Sequence, residues 1–423
     1  MRRIAALPAA LGLVLFSAVP AQAAGISEDP ADWTPQVVSP SAQVQQLAQC
    51  GGTMWAAGDF TQVQQPGHSP VSRVGSFSFS ATTGAITGFN PQIRGTVHTV
   101  QLSADCRTAY LGGAFTTSSG ARNLAAVNAS TGALVSTFRH DANAEVLTVL
   151  LSQGHLLAGG KFTTVNGVAR PYLASMSPTT GAVDSWMTVP FSGTYGAGFP
   201  TMVYDMKPSV AGTRLLLNGI FTSVGGLSRT QIVMLNVSPT STSVNAWDSP
   251  ELHDTCVSTR SRFWARGINW STGDTMVIVA STGAWGTSVF CDSFVRLPSS
   301  PVATNMPNIV NDTCVDSLYA VVAVPAMDAY VIGGHQRDVD VTAPVACGKD
   351  SGDYDPGPGA QPRPGLAAIA RLTGKATAWN PTTSRGHGVL SFLLTPAGLW
   401  AAGAFGNQCG RETHQGICFL PNG

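Results

Sequence analysis

Three carboxylates, Glu145, Asp205 and Asp316, stand at or near the starts of short apolar runs along the chain. Two carboxyl groups held at a fixed separation are what a glycosidase needs, one to protonate the leaving oxygen and one to act as base or nucleophile. No fixed motif ties these three together, and carboxylates at strand starts also serve solubility. Trp264, Trp285 and Tyr204 are aromatic residues that fall outside any repeated position, and such rings offer flat apolar area for a sugar with polar partners nearby. Asp350, Asp353 and Asp355 crowd three carboxylates into one Pro/Gly-flanked segment, where a calcium ion could collect oxygens, although EF-hand spacing is missing. HExxH, GxSxG, a P-loop and a nucleotide-binding glycine loop are all absent. The eight histidines show no metal-like pair spacing, and calcium aside no cofactor is expected.

Composition narrows the partners. Charged residues make up 11% and the formal net charge is zero, against roughly 25% charged residues in an average soluble protein. Such a chain lacks the electrostatic footprint that nucleic acid or an anionic membrane surface demands. Its Ser, Thr, Asn, Gln and Gly favour neutral hydrogen bonding instead. Met1-Arg2-Arg3, the apolar run from Ile4 to Val19 and Ala21-Gln22-Ala23 read as a secretory signal peptide over 1–23. No later stretch approaches the ~20 apolar residues of a membrane span. The expected location is extracellular, where eight cysteines without a CxxC pair suggest disulfides.

The elements that must position these groups are repeated. One unit reads Val146 to Leu151, Leu156 to Gly167, Arg170 to Met176 and Thr180 to Trp186: four short β runs bounded by turn residues. Thr-Gly pairs recur at Thr83-Gly84, Thr131-Gly132, Thr180-Gly181 and Thr373-Gly374, where glycine suits a tight hairpin between third and fourth strands. The second strand carries Gly58-Asp59-Phe60, Gly113-Ala114-Phe115, Gly160-Lys161-Phe162 and Gly219-Ile220-Phe221, and returns at Gly403-Ala404-Phe405. Glycine there implies another backbone close by. The intervals from Phe60 to Phe405 average about 58 residues, and the pieces left at the two ends add up to nearly one more unit. Residues 24–423 are therefore expected to form an all-β, seven-bladed β-propeller of four-stranded antiparallel blades. The N-terminal strand, residues 33–40, should pair into the last blade and close the ring.

With the repeats aligned, Gly159 to Ala174 fits a GG-x-F-T-x-x-N-G-x-x-R-x-x-L-A pattern, and weaker copies run over most of 42–423. In this the chain resembles a family of secreted bacterial β-propeller repeats whose function is largely unknown. By architecture and compartment it is also similar to lectin subunits of secreted toxin particles. The fifth and sixth repeats depart most, with an insertion over 335–364, which singles out Trp285, Trp264, His335 and Tyr354 as ligand-binding candidates, joined by Tyr204 as an aromatic outside the repeated positions. Arg73, Arg122, Arg170, Arg229 and Arg363 recur before the third strand, which suits hydrogen bonds to backbone carbonyls of the next blade.

The Asp-Thr-Cys-Val segments at Asp254 and Asp312 are each followed by another cysteine, Cys291 and Cys347. This predicts Cys256–Cys291 and Cys314–Cys347, with Cys409–Cys418 closing a short loop and Cys50–Cys106 left by elimination. The expected function is non-catalytic recognition of an extracellular glycan or protein partner. The alternatives are a carbohydrate-active hydrolase or lyase built on Glu145, Asp205 and Asp316, or a structural subunit of an extracellular assembly or toxin particle.

Overall fold

The computed structural model describes residues 25–39, 41–194, 199–253, 256, 265–283, 289–314, 316–342, 355–384, 388–405, 409–410 and 412–423. Among them there is no α-helix, only three short 3-10 turns between strands. Among the described residues no helix is long and apolar enough to cross a membrane.

The described residues form eleven antiparallel sheets, four of them small sheets of two or three very short strands. The seven larger ones follow one another along the chain, with first strands Gln43–Cys50, Ile93–Leu102, Val146–Ser152, Met202–Pro208, Ala265–Trp270, Leu318–Val324 and Gly388–Thr395; of these the fourth and fifth have four strands and the others three. In four of the three-stranded sheets the outermost position shrinks to a single bridge, Phe79 to Ile86, Val127 to Leu134, Met176 to Val183 and Ile369 to Ala376. The Thr-Gly hairpins precede these bridges, and Gly84, Gly132, Gly181 and Gly374 all have positive φ there, as the turn requires.

Each first strand packs against the first strand of the next sheet, and Gly388–Thr395 packs in turn against Gln43–Cys50. Apolar cores fill the spaces between sheets. Tyr110, Leu124 and Ala126 of the second sheet meet Val146, Leu156 and Phe162 of the third. The last and first sheets meet in the same way, Trp400, Ile417 and Phe419 against Met54, Phe77 and Phe79. Full burial of a large apolar side chain is worth roughly 1.5–3 kcal/mol, so each junction is held chiefly by these layers. Side chains also satisfy the exposed edges of the first strands. Gln46 Oε1 accepts from the Val100 amide at 2.7 Å, Thr99 Oγ1 accepts from the Val149 amide at 3.2 Å, and Asn269 Nδ2 donates to the Val321 carbonyl at 3.2 Å.

Residues 33–40 touch the last blade just ahead of its final strand: the Val37 amide donates to the Gln415 carbonyl at 3.1 Å, the Gln415 side-chain amide donates to the Ser39 carbonyl, and Thr34 Oγ1 meets His414 Nδ1 at 2.8 Å. Ile26 bridges Asn422, and the amides of Ser27 and Ala31 donate to the carbonyls of Pro421 and Phe419, so the chain beside the last strand is the stretch from Ile26 to Ala31. Gln36–Val37 also pairs with Gln62–Gln64, in a small sheet completed by Val71–Ser72. Trp33 packs on both Trp400 and Phe419 of the last sheet. Trp186 and Trp247 make an equivalent contact. Their indole N–H groups reach Ser238 and Pro298, the carbonyls that end third strands in the following sheets, whereas that of Trp379 reaches Ile26.

The repeated arginines bond carbonyls, but within their own sheet. Arg73, Arg170 and Arg363 each donate to the preceding carbonyl and to Thr87, Asp184 and Thr377 respectively. Arg122 differs and forks onto Asp141. Among the described residues the cysteines pair as Cys50–Cys106, Cys256–Cys291 and Cys409–Cys418. Cys314 is also disulfide-bonded, and Cys347 lies outside the described residues.

Candidate functional site

Every first strand carries a β-bulge near its start, seen as a register shift against the second strand. The bulged residues are Gln45, His98, Leu147, Tyr204, Arg266, Tyr319 and Leu390. A bulge leaves one residue out of the ladder and re-aims its side chain. All seven line one cavity of about 370 Å³. The glycines of the second strand make room for this irregularity: a Cβ at Gly160 would meet the carbonyl of Glu145, and one at Gly219 that of Met202. Substitution at either would push the first strand off the bulge.

One side of the cavity is a stack. The Arg266 guanidinium carbon lies 4.5 Å from the Tyr204 ring centre and 5.7 Å from that of Tyr319. Burial raises the Tyr319 pKa, so its ring stays a neutral phenol with a hydrogen-bonding hydroxyl at physiological pH. The other side is a chain of polar groups. His98 Nδ1 meets Gln45 Oε1 at 2.5 Å, Glu145 Oε2 accepts from Lys161 Nζ at 2.7 Å, and His98 Nε2 lies 3.6 Å from the same carboxylate. That last spacing is electrostatic contact rather than a hydrogen bond. Burial lowers the His98 pKa and outweighs the opposing pull of Glu145, keeping the imidazole neutral. Asp205 pairs with Lys207 at 2.8 Å. Gln43, Gln46, Thr99, Thr148 and Ser391 complete the lining with neutral donors and acceptors.

Of the carboxylates expected to converge, Glu145 and Asp205 line the cavity. Asp316 does not. Its side chain is 5% exposed and bonded by Arg337 Nε at 2.7 Å, with His335 Nδ1 at 3.6 Å. Tyr204 lines the cavity, whereas His335 is not among its lining residues and has its ring 5.9 Å from that of Tyr319. Asp355 is exposed and accepts from the Gly357 amide, a turn contact. Trp264, Trp285, Tyr354, Asp350 and Asp353 lie outside the described residues. Among the described residues no group of three His, Cys, Asp or Glu could hold a metal ion.

Sequence reading missed His98, Lys161, Lys207, Arg266 and Tyr319. A signal existed in the alternation: each bulged residue follows an apolar residue, Val44, Val97, Val146, Val203, Ala265, Leu318 or Val389, and varies freely while that position stays apolar. Lys161 occupies the variable place of the Gly-Gly-x-Phe motif, where other copies hold Asp59, Ala114 or Ile220.

These sheets and their inward-facing first strands define a β-propeller. Similar solved structures include the WD40 repeats of RRP9, with a TM-score of 0.52 and 10% identity over 93% of this chain and 98% of that one. U3-55K is similar too, with a TM-score of 0.53 and 10% identity over 93% of this chain and all of that one. At this identity the likeness is one of fold. No protein-family model matches the chain and no curated protein does.

Proposed function

We propose that the protein is a secreted, seven-bladed propeller closed by its N-terminal segment, which binds a glycan in the central cavity without cleaving it. Its kinship would lie with the secreted bacterial propeller repeats. The observation that carries the reading is the Tyr204–Arg266–Tyr319 stack within a lining of neutral amides and hydroxyls. Such a surface matches a sugar, whose ring faces are apolar and whose edge is a row of hydroxyls. A volume of about 370 Å³ falls in the range of small-molecule sites, ~300–1,000 Å³.

Hydrolysis fits less well. Glu145 and Asp205 are each paired with a lysine, Lys161 and Lys207, whereas a glycosidase sets two carboxyl groups free to work on either side of the scissile bond.

The test is a glycan array probed with the mature protein, followed by chromatography of the bound oligosaccharide after prolonged incubation. Selective binding with the ligand recovered intact is expected. Absence of glycan binding, or cleavage that disappears in Glu145→Gln, would overturn the reading.

A further inference from the structure

We infer that the cavity recognises the end of a glycan chain, its last one or two sugars, and not an internal stretch. This rests on the glycan-binding reading above and adds the direction of approach. The wall is built by all seven first strands, because residues of the first sheet, Gln43, Gln45 and Gln46, and of the last, Leu390 and Ser391, line the same space as His98, Leu147, Tyr204, Arg266 and Tyr319. Neighbouring first strands are packed together, including Gly388–Thr395 on Gln43–Cys50, where the two ends of the array meet. A groove open at its flanks admits the middle of a polymer laid along it. Among the described residues this cavity has protein from all seven first strands around it, so a ligand approaches it along the axis.

The approach is lined as well. An adjoining space of about 660 Å³ is bounded by Ser41, Ala42, Gln43, Arg266, Tyr319, Leu390 and Ala404. Four of these residues, Gln43, Arg266, Tyr319 and Leu390, also line the inner cavity, so the two spaces adjoin along one path. Ser41 and Ala42 precede the first strand and Ala404 ends a second strand, which places the outer space at the face where first strands begin. A chain entering from that face meets Arg266 and Tyr319 at the junction. Its terminal sugar then faces Tyr204, His98 and the Lys161–Glu145 pair, and the sugars behind it remain in the wider space.

The ends of a chain do not multiply as the chain grows, whereas its internal units do. The experiment is a calorimetric titration of the mature protein with the strongest array ligand, prepared as oligosaccharides of increasing length. The same series is repeated with Tyr204→Ala and with Leu390→Trp, which narrows the junction. Terminal recognition predicts one protein per chain at every length and an affinity that stops rising after about two or three sugars. It also predicts a loss of at least about tenfold in both variants, roughly 1.4 kcal/mol. More than one protein per long chain, or affinity per chain growing in proportion to length, would overturn the inference. If that growth were still abolished by the two variants, the cavity would stand as the glycan site and only the end-on approach would fall. If no array glycan binds, the functional reading falls and this inference with it.

Discussion

Arg266 lies over the ring of Tyr204, 4.5 Å from its centre, and donates from Nη2 to the same tyrosine's hydroxyl at 2.8 Å. The contact joins the bulges of the fourth and fifth first strands, so it fixes the planar face a sugar would meet. A lysine keeps the charge but neither the plane nor the forked donors. Arg266→Lys is therefore expected to weaken glycan binding by about tenfold, in line with a stacked cation–π pair worth ~1–2 kcal/mol. Calorimetric titration checks this, and wild-type affinity in the variant would remove the stack from the account.

The proposed closure of the ring rests on the stretch from Ile26 to Ala31. Removing residues 24–32 strips the last strand, Ile417–Pro421, of its outer neighbour and leaves the Trp379 indole N–H without the Ile26 carbonyl. An exposed strand edge of this kind invites association. The truncated protein should melt well below wild type or aggregate, read by scanning calorimetry and light scattering. Unchanged melting and a monomeric profile would contradict the closure.

Asp292 gives a pH dependence with a definite sign. Burial raises its pKa to about 7, opposed by a hydrogen bond from Ser317 and by His335, while Asp316 adds to the rise. A carboxyl whose folded pKa lies above its unfolded value binds its proton more tightly when folded. Its contribution to stability is thus whole below pH ~4 and is lost as pH rises toward 7. Asp312, raised to about 6 by burial, acts in the same sense. Buried His98, His140 and His414, with lowered pKa values, act in the opposite sense. Comparison with Asp292→Asn isolates the one group: between pH 5 and 8 the variant's melting temperature should fall less than the wild type's, by roughly 2–4 °C. Parallel profiles would show that Asp292 does not titrate in this window.

The disulfide Cys50–Cys106 joins the first sheet to the second, across 56 residues of sequence. Replacing both cysteines by serine should cost ~2–5 kcal/mol, as is typical for a native bridge in a secreted domain. Cys409–Cys418 spans 9 residues within the last sheet, and the shorter loop should cost less on chain-entropy grounds. Denaturant unfolding of the two double variants ranks them, and the reverse order would mean that native strain, not loop length, decides.

Much of the architecture was legible because the repeat is written in residues with strong backbone meaning. The Thr-Gly pairs named the hairpins, and the Gly-Gly-x-Phe motif named the second strands. At the N-terminus Trp33-Thr34-Pro35 carries the outer-strand signature, and in the structure the stretch after it bonds both to Gln415, beside the last strand, and to Gln62–Gln64. Ile26 to Ala31, beside the last strand, carries no such signature and had nothing to announce it. The site was less legible for a related reason. Bulge residues such as His98, Arg266 and Tyr319 are the ones the repeat leaves free to vary, so a search for repeated features passes over them. Asp316 looked equivalent to Glu145 by its place near a strand start, but the pairing with Arg337 that draws it from the centre joins two loops and cannot be read along the chain.

The most direct measurement is the affinity of the double variant Tyr204→Ala/Tyr319→Ala for the array ligand, taken beside its melting temperature. Both rings face the cavity and neither is fully buried, so melting should stay within about 3 °C of wild type. Binding should fall by at least about a hundredfold, as expected when two aromatic faces of a small site are removed. Full affinity in a correctly folded double variant would place the ligand elsewhere on the molecule and contradict the account.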